Sequence, residues 1–172
     1  MCALLACAVV TGATGACRDL SGFSTGSGSF EGAIVGADFV RAGISATTDA
    51  GVATRLCLTL DANDLQGSPG ALSTNDGLFQ ATALRSIPQI WQDPLSTLSF
   101  GDGRLKNLVY VVSASRPLSD GGSDVFAIVS LMQSGNVEVR LLHGAPAPDG
   151  STPAPNVFAV FQLQRQSTPC SY

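Results

Sequence analysis

The sequence predicts an all-β protein: an antiparallel β-sandwich of about eight strands, with a small closed β-barrel as the alternative, behind an N-terminal signal segment. Three observations carry this. From Phe30 onward, apolar and polar residues alternate in short runs separated by Gly, Asn, Asp and Pro clusters, which is the period of a pleated strand. No stretch of that part sustains a helical apolar period over the length of a confident helix. Charged residues make up only 13% of the chain against 45% hydrophobic, so the solvated surface must be built from Ser, Thr, Asn, Gln and Gly. At 172 residues the chain is read as one domain with a sizeable core.

Taken in order, Phe30–Val35 and Phe39–Ser45 read as strands joined by Gly36-Ala37-Asp38. In Thr54–Asp61 the alternation puts Leu56, Leu58 and Leu60 on one face and Arg55, Cys57 and Thr59 on the other, so Cys57 faces away from the main core. Asp61–Ser73 reads as a long loop, and Asn75-Asp76-Gly77 turns the chain into a strand over Phe79–Leu84. Residues 85–97, interrupted by Ile87-Pro88 and Asp93-Pro94, read as an irregular crossover. Leu98–Phe100, a Gly101-Asp102-Gly103 turn and Arg104–Ser115 form a hairpin whose apolar run Leu108–Val112 makes its second strand central. Val125–Gln133, the Ser134-Gly135-Asn136 turn and Val137–Leu142 form another, with Val125, Ala127, Val129 and Leu131 facing the core beside Val137, Val139 and Leu141. Ala145–Asn156 is a proline-rich loop, and Val157–Gln164 is the last strand.

The N-terminus carries the address. Ala3–Val10 is an apolar run followed by small residues, the outline of a secretory signal. Gly15-Ala16-Cys17 resembles the end of the lipobox of bacterial lipoproteins, in which small residues precede a cysteine that is lipidated and becomes the new N-terminus. Thr14 stands where that family carries an aliphatic residue. Leu4-Leu5-Ala6-Cys7 matches the pattern too but leaves little chain upstream for an apolar core, so Cys17 is the expected attachment site and Cys7 the alternative. The resemblance implies residues 1–16 as signal peptide, 17–29 as lipidated cysteine and Gly/Ser-rich tether, and 30–172 as the β-domain. Such a tether reaches about 20 Å, keeping the domain near the membrane surface. Cysteine parity agrees: a cut before Cys17 leaves Cys57 and Cys170, which are expected to pair in an oxidising compartment, with two separate thiols as the alternative.

Val9-Val10-Thr11-Gly12-Ala13-Thr14-Gly15 is also similar to the TGxxGxxG turn of nucleotide-sugar epimerases and related short-chain dehydrogenases, which would imply an NAD(P)-dependent oxidoreductase. Arg18 occupies the third glycine position, and the Ser24–Ser29 run, STGSGS, stands where that fold needs a helix. The lipoprotein reading is therefore preferred.

Chemistry is sparse. His143 is the only histidine, which excludes a histidine-based metal cluster. Neither Ser24 nor Ser134 sits in a G-x-S-x-G elbow. Asp61-Ala62-Asn63-Asp64 and Asp120-Gly121-Gly122-Ser123-Asp124 lack the spacing of a calcium loop and read as turns. Trp91 reads as a core plug or as the rim of a binding surface. A net charge of −4 with scattered arginines offers no face for nucleic acid. After Cys17 no apolar run approaches the roughly 20 residues of a spanning helix. The expectation is an envelope lipoprotein held by membrane lipid, with a binding or structural β-domain, no catalytic residue, no cofactor and no metal. The alternative is a periplasmic or secreted enzyme with a site built from loops 61–76, 85–97 and 144–156.

Overall fold

The computed structural model describes residues 28–36, 52–61, 64, 69–87, 104–117, 122–143 and 156–172. They form strands β1 (Gly28–Gly36), β2 (Arg55–Leu60), β3 (Gly70–Thr74), β4 (Thr82–Ala83), β5 (Arg85–Ser86), β6 (Arg104–Ser113), β7 (Asp124–Met132), β8 (Val137–His143) and β9 (Asn156–Gln166), with no helix among the described residues. All nine lie in one antiparallel sheet of order β4-β3-β2-β1-β9-β8-β7-β6-β5. The two ends of that order are the two halves of one short segment, separated by Leu84. Its first half pairs with β3 and its second with β6. A further bond from Ser115 N to Leu78 O (2.7 Å) draws the same margins together. The sheet is thus nearly closed into a barrel, and the all-β expectation holds in its barrel form in place of the two separate layers of a sandwich.

The interior is filled by the inward half of each alternation. Phe30, Leu56, Leu58, Leu60, Leu72, Ala159, Phe161 and Leu163 join the inward residues expected of the β7–β8 hairpin in one buried cluster. Burial of each large member stabilises the fold by about 1.5–3 kcal/mol. Tyr110 lies in the same cluster, and burial pushes its phenol up to about 12. A second cluster of Ile87, Val109, Phe126, Ile128 and Leu142 lies on the opposite face of β6, β7 and β8.

Several boundaries differ from expectation, each for a local reason. β1 begins at Gly28, so it takes in the last two residues of the expected tether. β3 occupies the end of the expected loop, because Ala71 and Leu72 find partners on Thr59 and Leu58 of β2. The expected strand Phe79–Leu84 is broken where Ala81 adopts a left-handed backbone (φ 50°). β6 is not central in the hydrogen-bond order; it lies beside the closing segment. The expected strand Phe39–Ser45, the Leu98–Phe100 arm and the loop at 145–155 lie outside the described residues.

Candidate functional site

The clustering of polar groups begins on the outer face of β1 and β2. Because inward Leu56, Leu58 and Leu60 alternate with Arg55, Cys57 and Thr59, the register sets Glu31 of β1 opposite Cys57, and Cys57 opposite Ser73 of β3. Cys57 is bonded to Cys170, with a Cα–Cα distance of 5.9 Å and a sequence separation of 113 residues. The bond folds the segment after β9 back across β1 and β2. At its end the Tyr172 hydroxyl donates to Glu31 Oε1, as does Arg55 Nε at 2.8 Å. The Tyr172 hydroxyl, and after it Arg55, hold the Glu31 carboxyl below the usual carboxylate range, outweighing its partial burial. Burial and then the Glu31 bond push the Tyr172 phenol up, and the Glu31 bond raises the Arg55 guanidinium.

The folded-back segment separates two hollows. The larger, about 860 Å³, opens at the barrel end where β1 and β3 begin and β2 and β9 finish. It is bounded by Gly28, Asp61, Gly70 and Arg165 on the barrel side and by Ser167 and Thr168 on the other. Arg165 is the register partner of Phe30, so both side chains leave the same face, and the guanidinium carbon sits 5.4 Å from the ring centroid. Two glycines at this mouth have no room for a side chain. A Cβ at Gly28 would lie 3.0 Å from Arg165 Nη2 and 3.0 Å from the Phe30 ring, and one at Gly70, where φ is +136°, would lie 1.8 Å from Thr59 O. The smaller hollow, about 320 Å³, lies beside Glu31, Cys170 and Tyr172.

Of the residues singled out in the sequence, Cys57 and Cys170 are brought together as expected. Cys17, Cys7, Ser24 and Trp91 lie outside the described residues, as do residues 88–97 and 144–155 of the loops expected to build an enzyme site. His143 ends β8, opposite Val125 and Asn156. Ser134 sits in the β7–β8 turn, where its Oγ accepts from Asn136 N at 3.4 Å. Of the two acidic stretches only parts are described: Asp64 N donates to Asp61 O at 3.3 Å, and Asp124 accepts from Arg85 Nη2 at 3.0 Å and from the Ser113 hydroxyl. Among the described residues no group of three His, Cys, Asp or Glu side chains is placed to hold a metal ion, and no helix is long and apolar enough to cross a membrane.

Arg165 and Tyr172 were not anticipated from the sequence. A signal for Arg165 does exist, since the inward alternation Phe161, Leu163 continues to Arg165, a charge at an inward position at the end of a strand. Tyr172 has no local signal, because its partners are more than a hundred residues away in the chain. No family model, curated protein or solved structure matches the chain.

Proposed function

We propose that this chain is a cell-envelope lipoprotein, acylated on Cys17, whose β-domain serves as a disulfide-stapled binding module facing the periplasm or exterior. The Cys57–Cys170 disulfide carries this reading, because such bonds persist in oxidising compartments and are rare in the cytosol. Two further observations support it. Once these two cysteines are paired, the remaining three are Cys2, Cys7 and Cys17, all within the segment that resembles a lipoprotein signal. The barrel interior is occupied by packed Leu, Val and Phe side chains, which leaves the mouth and the outer face to make contacts, as in a module that binds at its rim. Acyl chains contribute about 0.8 kcal/mol per buried methylene, enough for several chains to hold the domain without a spanning helix.

Intact mass and N-terminal mapping of protein recovered from its native membrane test the proposal. The expected result is a mature chain beginning at acylated Cys17, and release from the membrane fraction by Cys17→Ser. Unchanged fractionation of Cys17→Ser, with no acyl mass on the N-terminal peptide, overturns it. Release by Cys7→Ser alone would move the anchor to Cys7.

A further inference from the structure

We infer that the cleft at the barrel mouth binds a small ligand carrying one carboxylate with neighbouring hydroxyls, the chemistry of a uronic acid, and that Arg165 is its anchor. The inference deepens the binding-module reading by giving the module a site and a ligand class.

Arg55 pairs with Glu31, Arg85 with Asp124, Arg116 with Asp76 and Arg140 with Glu138, at 2.6–3.5 Å. Arg165 is the one arginine among the described side chains with no carboxylate partner, and it lines the larger of the two hollows. Its carbon lies over the Phe30 ring, so one face of the guanidinium is held by the core. Its edge, the fork of N–H donors that matches a carboxylate bidentately, is the part left to meet a ligand.

The surroundings select the rest of the ligand. Gly28 leaves open the space in front of Arg165 and the Phe30 ring that a side chain there would fill, so a ligand can approach both closely. Ser167 and Thr168 line the facing wall with hydroxyls, and Pro169 offers apolar surface to the C–H face of a sugar ring. The described lining carries one cation, Arg165, and one acidic residue, Asp61, a composition that favours a monoanion over a doubly charged phosphate. At about 860 Å³ the cleft is of a size for a small ligand. Its facing wall belongs to the segment that the Cys57–Cys170 bond holds in place, which makes binding depend on the oxidised state.

The test is titration of the full, oxidised chain with glucuronate, followed by amide chemical shifts. The expected result is saturable binding with shifts at Gly28, Gly70 and Ser167, weakened at least about tenfold by Arg165→Ala and less by Arg165→Lys. The uncharged methyl ester of glucuronate should bind at least about tenfold more weakly, and reduction of the disulfide should weaken binding. Gly28→Ala, which sets a methyl group against the guanidinium, is the second variant should Arg165→Ala disturb the spectrum. The inference is overturned by absence of saturation up to about 10 mM, by equal affinity for the ester, by undiminished binding in both variants, or by tighter binding of inorganic phosphate. An acylated chain that ignores glucuronate overturns this inference alone, and an unacylated chain that binds it overturns the anchor alone.

Discussion

The two sides of the barrel share one interior but secure their outer faces by opposite means. On β6, β7 and β8 the outward residues include Val109, Phe126, Ile128 and Leu142, a second buried apolar cluster. On β1 and β2 the outward residues include Ser29, Glu31, Ala33, Arg55, Cys57 and Thr59, and among the described residues no apolar cluster gathers on that face. There the chain uses a covalent bond from Cys57 to Cys170 and the Glu31–Arg55–Tyr172 contacts. The contrast follows from chemistry: apolar burial stabilises wherever enough methylenes are gathered, whereas an alternating strand with a polar outer half needs a directed link. It also places adaptability, since a segment held by one bond and a few polar contacts forms the wall of the cleft.

This contrast can be broken in four ways, from the largest effect to the smallest. Replacing both Cys57 and Cys170 with alanine should lower stability by about 3–5 kcal/mol, as loop closure over so long a separation predicts, read as a shift in urea midpoint. Ile128 is fully buried in the outer cluster, and Ile128→Ala should cost about 3 kcal/mol with the disulfide intact. A smaller loss for Ile128→Ala than for a surface substitution would mean that the outer cluster does not stabilise its half. Tyr172→Phe should cost under about 1 kcal/mol at neutral pH, because the contact is partly exposed. The lowered Glu31 pKa gives that term its sign. A depressed carboxylate adds stability above its unfolded value and loses it as pH falls through its folded value, so the melting temperatures of wild type and Tyr172→Phe should converge toward pH 3. A difference that persists in acid would detach Tyr172 from Glu31. Ala81→Gly, at a left-handed backbone position, should raise stability by about 0.5–1 kcal/mol in either redox state, and a loss would show that the Ala81 methyl packs.

The same contrast explains how much was legible in the sequence. The β7–β8 hairpin is legible almost residue by residue, because two apolar runs flank a turn marked by Gly135, at φ 82°, and Glu138 and Arg140 alternate with Val137, Val139 and Leu141 in the second. β2 and the facing of Cys57 were equally plain. β3 reads as loop because Gly70, Ser73 and Thr74 leave only Ala71 and Leu72 to alternate, and its strand character comes from pairing with β2. β4 and β5 are two residues each, too short for any periodicity, and they close the barrel through their pairing with β3 and β6. The choice of barrel over sandwich rests on this closure and on the pairing of β1 with β9, both of them long-range. The cleft was illegible for the same reason: Gly28, Asp61, Gly70 and Arg165 meet through sheet order, and only the inward position of Arg165 is written locally.

Hydrogen exchange of the oxidised and reduced chain, compared peptide by peptide, tests the central claim most directly. The account predicts that reduction strips protection from residues 28–36, 55–60 and 164–172 while β7 and β8 keep theirs. Equal loss of protection across all strands, or none in β1 and β2, would contradict it.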